Sequence, residues 1–296
     1  MEKENQAKKQ KFSAFNAVVY VFLLLHAVML IAMLAWAISV SLTSNEVAKK
    51  GFFVFPDFAF GNCSHVVKNF KFMVTRGDFP IEVRLFPDII IYTILYTVGG
   101  AFVSALVPCF VAYVVAKFKN FVSKILYTIV IVTMIVPIIG NQPAMIKVMM
   151  TLNIYDTIFG AWILRANFLG MYFLIFVSAF KALSDNYMEA AYIDGASEWR
   201  VLLTIMFPLV KTIFFTVMLI QFVDCWNDYG IPLLYIPSHP TIAYGVYRMS
   251  NTVVTGLSSP PMKMAACAIM VIPTVTLFII FKDKLMGNLS MGGIKG

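Results

Sequence analysis

The chain has 296 residues, 60% of them hydrophobic and 13% charged, with a mean hydropathy of +0.82. Soluble domains carry charged residues at about a quarter of their positions, so this balance excludes a soluble globular domain and indicates a polytopic membrane protein. The net charge of +8 is spread over segment ends rather than gathered on one soluble face, which reads as membrane topology and argues against nucleic-acid binding.

Residues 1–16 form a polar, basic tail. The apolar run behind it continues for about 25 residues without a small-residue cleavage site, so it reads as a retained first span and not as a signal peptide. Crossing the hydrocarbon core takes about 20 apolar residues. Six segments qualify: 17–42, 89–115, 124–148, 160–181, 206–228 and 264–282. The expected fold class is therefore an all-α integral membrane protein, a six-helix domain over 17–282 in contact with lipid, between tails at 1–16 and 283–296. Pro108 lies in the second span, Pro137 and Pro143 in the third and Pro273 in the sixth, where each removes a backbone donor and predicts a kink.

Lys and Arg near span ends favour the cytoplasmic side. Lys3, Lys8, Lys9 and Lys11 precede span one, Lys117, Lys119 and Lys124 separate spans two and three, and Lys282, Lys284 and Lys295 follow span six. Both termini are expected in the cytoplasm. The segment 43–88 then lies outside despite Lys49, Lys50, Lys68, Lys71, Arg76 and Arg84, since long loops translocate largely regardless of charge.

In this topology the loop at about 182–205 faces the cell interior. Ser184 is placed to cap a helix with Asp185 in its first turn, Gly195 to close it, and Ser197 to cap a second helix leading to span five. On the first helix Tyr187, Ala190, Ala191 and Asp194 share a face, with Glu189 beside it. Small side chains flanked by carboxylates suit a groove of basic or backbone donors on a partner. The other reading, a helix resting on the bilayer, favours Lys and Arg on the polar face, whereas this helix is acidic.

Span five ends in QFVDCWNDY, where Gln221, Asp224 and Asp228 share one face beside Trp226 and Asn227. An aromatic face with amides and carboxylates suits a hydroxyl-rich solute, and charges at membrane depth usually face a protein interior or a water-filled path. The same residues also read as an interfacial aromatic belt with Asp228 reaching water. Asn141 and Gln142, between Pro137 and Pro143, form a second polar point, for solute contact or for repair of a broken helix. The aromatic, Pro/Gly-punctuated segments 43–88 and 229–263 are both expected outside.

The four cysteines (Cys63, Cys109, Cys225, Cys267) have no close pairing or metal-ligand spacing, so no metal site is expected. The sequence has no G-x-x-x-x-G-K-[ST] loop, no H-E-x-x-H and no G-x-S-x-G, and its three histidines are widely separated, so no enzymatic activity is expected in this chain.

The run Glu189-Ala190-Ala191, three residues, Gly195, nine residues, Ile205, one residue, Phe207-Pro208 resembles the EAA signature of permease subunits of binding-protein-dependent ABC importers. Phe207 stands where leucine is usual, and Leu183-Ser184-Asp185 replaces the usual preceding proline. Asp194 and Ala196 around Gly195 are similar to the carbohydrate type, the family of the maltose permease subunits. Ser41-Leu42-Thr43, Ala112-Tyr113, residues 137–143, Trp226-Asn227-Asp228 and the terminal run 291–296 agree in order, the last resembling the maltose-type subunit without a large periplasmic insertion.

The resemblance implies a type I importer transmembrane domain in a bacterial plasma membrane. It implies that Glu189, Ala190, Ala191, Asp194 and Gly195 dock on a cytoplasmic ATPase dimer, whose ATP and Mg are bound outside this chain, which itself takes no cofactor. It implies a second, related permease and an extracellular solute-binding protein, with the tail 292–296 reaching the ATPase or ending disordered. Pro208 reads as a mechanical start of span five or as a tolerated N-terminal proline. The expected function is translocation of an oligosaccharide or related polyol. The alternatives are a non-sugar importer, for peptide or phosphoester, a membrane docking protein, or a secondary carrier, which would show inverted repeats and ionisable residues buried in mid-span, neither of which the sequence displays.

Overall fold

The computed structural model describes residues 14–51, 56–58, 61, 62, 64, 66, 72–74, 82–84, 86–136, 140–251 and 259–289. Most of the expected N-terminal tail, Pro137 to Ile139 and the terminal run 291–296 lie outside the described residues.

Helix α1, Ala14–Ser41, is 28 residues long without proline or glycine. At 1.5 Å per residue it extends about 42 Å, more than the roughly 30 Å hydrocarbon core. It packs along the last helix and leaves Phe22, Leu24 and Leu25 exposed, which suits lipid as its solvent. Its final carbonyls are satisfied mostly by the turn that follows, where Leu42 N donates to Ile38 O and Ser39 O and Thr43 N to Val40 O. The Asn62 amide donates to Ser41 O at 2.7 Å and, beyond the helix, to Thr43 O at 2.9 Å. The segment expected outside then holds a short helix α2, Asn45–Ala48, and an antiparallel hairpin of β1, Phe72–Val74, and β2, Glu82–Arg84, with Phe72 opposite Arg84.

The central element is α3, Phe86–Lys117. Ala101, Ala105, Ala112 and Ala116 are buried on it at helical spacing, and this stripe of small residues lets neighbouring backbones approach closely. Gly99 serves the same purpose, since a Cβ there would meet the Trp162 ring at 2.2 Å. The Trp162 indole N–H donates to Leu95 O at 3.1 Å and so locks the following segment against α3.

Spans three and four depart from expectation. Each is two helices rather than one. Helix α4, Phe121–Ile135, stops where Val136 turns extended before Pro137, as the residue preceding a proline is driven out of the helical region. Helix α5, Gln142–Thr151, restarts after Gly140 at φ +81° with Pro143 in its first turn, where the missing N–H costs nothing. The expected span 160–181 is α6, Ile158–Arg165, and α7, Met171–Ala182, separated by a turn in which Asn167 Oδ1 accepts from Leu169 N.

The loop that follows carries α8, Asn186–Ile193, and α9, Glu198–Val201. From α9 the chain stays helical through a π-helical turn at Leu202–Met206 into α10, Phe207–Asn227. Pro208 therefore does not start a helix, as expected, but lies inside one. The wide turn immediately before it is where the ladder absorbs the lost donor and the proline ring. Helices α11, Gly230–Tyr235, and α12, Ile242–Asn251, precede α13, Pro260–Leu289, which contains Pro273 without a break.

Four helical segments among the described residues are long and apolar enough to cross a membrane: Phe15–Ser41, Phe86–Lys117, Glu198–Asn227 and Pro260–Phe281. Helices α4 and α7 are apolar but shorter. The main core lies where α3, α7, α9 and α10 meet, around Phe173, Phe176, Phe180 and Met206. A second cluster joins Phe86, Ile89 and Trp226 to α12 and α13 at the other end of α3.

Candidate functional site

Two polar features occupy different ends of α3. At its C-terminal end lies the acidic loop. Asp185 is the N-cap of α8, and the Ser184 hydroxyl accepts from Asn186 N at 3.3 Å. At the other end Gly195 takes φ +77°, Gly195 N donates to Tyr192 O at 3.0 Å and Ala196 N donates to Ala191 O at 2.9 Å. This is the paired-bond closure that glycine makes accessible.

The loop is tied to α3 through Lys117. Its Nζ donates to Leu183 O and to Asp185 Oδ1, both at 2.7 Å, and only 2% of its side chain is exposed. Hydrogen bonding to Lys117, then the charges of Lys117 and Lys119, holds the Asp185 carboxyl below the usual carboxylate range. Glu189, Ala190 and Asp194 face outward, whereas Ala191 turns inward with Met188 onto the core, so the expected shared face of Ala190 and Ala191 is divided. Ile193, at 87% exposure, and Trp199 take up the outward apolar role. Sequence reading missed both, although an isoleucine and a tryptophan inside a polar loop are themselves a signal.

The second feature lies around Tyr96, ten residues and so about 15 Å from the start of α3. Arg165, the last residue of α6, donates through Nη1 to Asp224 Oδ2 at 2.7 Å and through Nη2 to Asp228 Oδ2 at 2.5 Å. Its Nε and Nη2 also donate to the Tyr96 hydroxyl at 3.2 and 3.1 Å, and that hydroxyl donates to Asp228 Oδ2. Asp228 Oδ1 accepts from Gly230 N at 2.8 Å and Ile231 N at 3.3 Å, so one carboxylate joins α3, α6, α10 and α11. Upstream, Thr157 caps α6 by accepting from Gly160 N, and Asp156 accepts from Ser238 N while its own N–H goes to Tyr235 O.

A cavity of about 860 Å³ opens on this cluster. Asn141, Gln142, Asp224, Asn227 and Asp228 all line it, although the first two lie far from the others in sequence. Gln221 lines an adjoining cavity of about 320 Å³ that shares Arg165. Trp226 is directed elsewhere: its indole N–H donates to Met270 O at 3.0 Å and its ring stacks on Phe222, within the cluster facing α13.

Arg165 and Tyr96 were not anticipated; Arg165, inside the expected span 160–181, is 15% exposed, and its partner Asp228, at the end of span five, is 18% exposed. The available signal was an arginine within an apolar run, which at membrane depth marks a functional site by default.

The family described as binding-protein-dependent transport system inner membrane component matches residues 104–286. The chain belongs to this family. A melibiose/raffinose/stachyose import permease of Bacillus subtilis is 24% identical over 208 residues, 70% of this chain and 75% of that permease. A probable ABC transporter permease of Pyrococcus horikoshii is 25% identical over 153 residues, 51% of this chain, and the match spans only 55% of that relative's length. Among solved structures, a chain from a bacterial ABC transporter involved in the import of the acidic polysaccharide alginate superposes with a TM-score of 0.72 at 22% identity, over 93% of this permease and 97% of that chain. The permease thus shares its overall fold with that importer chain.

Proposed function

We propose that the permease is the translocation subunit of an ATP-driven importer that moves an oligosaccharide, handed over by a solute-binding protein, across the bacterial plasma membrane. The observation that carries this reading is the cavity lined by Asn141, Gln142, Asp224, Asn227 and Tyr229, a set of amides, a carboxylate and an aromatic face suited to sugar hydroxyls and ring faces. The saccharide specificity in the name of the Bacillus relative supports the same class. The helix pairs α4–α5 and α6–α7 serve as the third and fourth of six spans, broken where irregular backbone lines a cavity. Both termini and the α8–α9 loop lie in the cytoplasm.

Glu189, Ala190, Asp194 and Gly195, with Ile193 and Trp199, dock on a separate ATPase dimer that binds ATP and Mg, and Ala191 anchors the docking helix from behind. A second permease completes the path. The test is ATPase stimulation by oligosaccharides in the complex reconstituted with its neighbouring permease, ATPase and binding protein, with and without Gly195→Pro. Proline has neither the N–H given to Tyr192 nor access to φ +77°, so stimulation should vanish while the complex still assembles. Stimulation by a peptide or phosphoester and by no glycan would overturn the carbohydrate assignment.

A further inference from the structure

The cavity has a definite charge. Two carboxylates face one guanidinium, so the cluster of Arg165, Asp224 and Asp228 carries one net negative charge when all three are ionised. Arg165 is the only cationic side chain among the described residues lining the cavity, and it is already engaged by Asp224, Asp228 and the Tyr96 hydroxyl. An arriving carboxylate or sulfonate would compete for this guanidinium with two carboxylates already bound to it. Displacing Asp228, which is 18% exposed, would leave a largely buried carboxylate without its cation. Asp224 is 59% exposed and presents its charge to the cavity. Asn141, Gln142 and Asn227 offer donors and acceptors without charge.

We propose that this cluster makes the path selective for uncharged glycans over acidic ones, with Asp224 as the specificity-determining residue. The proposal rests on the reading of the cavity as the solute path. The fold alone does not decide the matter, since the structurally similar importer is involved in the import of an acidic polysaccharide. The charge lining the cavity does.

The test places a cysteine at Asn227, which lines the cavity without pairing to Arg165, in an assembled complex whose permease has its four native cysteines replaced by alanine. Two methanethiosulfonate reagents of equal length are compared, one bearing trimethylammonium and one bearing sulfonate. The cationic reagent should react roughly tenfold or more faster than the anionic one, after correction for their rates on a free thiol in solution. Adding Asp224→Asn should move that ratio toward the solution value. A corrected ratio near one with Asp224 intact would overturn the charge assignment, and this reading needs no change to the ionic cluster. The same labelled complex reports on the path: modification should block uptake of a neutral oligosaccharide. A cation preference accompanied by unimpaired uptake would overturn the path reading, and selectivity with it, while leaving the cavity's charge established.

Discussion

Asp224, in the last turn of α10, and Asp228, the residue that caps it, face the same guanidinium, yet they differ in what their loss exposes. Asp228 accepts from Arg165, Tyr96, Gly230 and Ile231 and is mostly buried. Asp228→Ala leaves a largely buried Arg165 with the neutral Tyr96 hydroxyl and one solvent-facing carboxylate, Asp224, and leaves two backbone donors at the start of α11 unmatched. It should lower stability by about 3–5 kcal/mol, the scale for breaking a buried pair. Asp224→Ala removes a 59%-exposed partner and should cost under about 1 kcal/mol. Thermal unfolding of the purified complex in detergent separates the two, and equal losses would mean that the cluster behaves as a surface pair. Both carboxylates were legible in the sequence because helix spacing puts them on one face. Arg165 was not, since its carboxylate partners lie 59 and 63 residues away and only the packing of α6 against α3 and α11 brings them together.

Among the elements, α8 was legible at its C-terminal limit, where Gly195 closes it, but not at its start, where Asp185 and not the expected Ser184 takes the N-cap position and makes no side-chain capping bond. Which of its alanines faces outward was not legible, as that depends on where the core lies. The breaks inside spans three and four were also hidden. A proline read as a kink and a proline that ends a helix look alike until the neighbouring backbone is seen. The anchor of α8 is likewise tertiary: Lys117 closes α3 and holds Leu183 O and Asp185. Lys117→Met should therefore cut glycan-stimulated ATPase several-fold with assembly retained. Because the folded-state pKa of Asp185 is lowered, its contribution is present above the ordinary carboxylate value and is lost only as pH falls through the lowered one. Stimulation should show no step from this pair between about pH 5 and 8, and the Lys117→Met defect should persist across that range. A defect that appeared only on acidification would place the anchor elsewhere.

At the scale of the whole molecule, α3 links the two features. Twenty-one residues separate Tyr96 from Lys117, about 30 Å of helix. The proposed coupling needs motion at the loop to reach the cavity, and the route is the packing of α3 against α7 and α10, which meet it along the small-residue stripe. In lipid there is no hydrophobic gain from pressing apolar helices together, so close van der Waals fit carries the association. Ala112 is fully buried in that stripe, whereas Val114, two residues on, is 41% exposed. Ala112→Leu forces three heavy atoms into an occupied seam and should cost about 1–3 kcal/mol. Val114→Leu adds one carbon on an exposed face and should be silent. If α3 transmits the motion, Ala112→Leu will leave ATP binding by the partner intact but lower glycan-stimulated hydrolysis, and it will do so even in those complexes that elute as intact assemblies on size exclusion. Intact complexes with full stimulation would mean that the two ends are linked by another route, for which the continuous helix from α9 through the π-helical turn into α10 is the structural candidate.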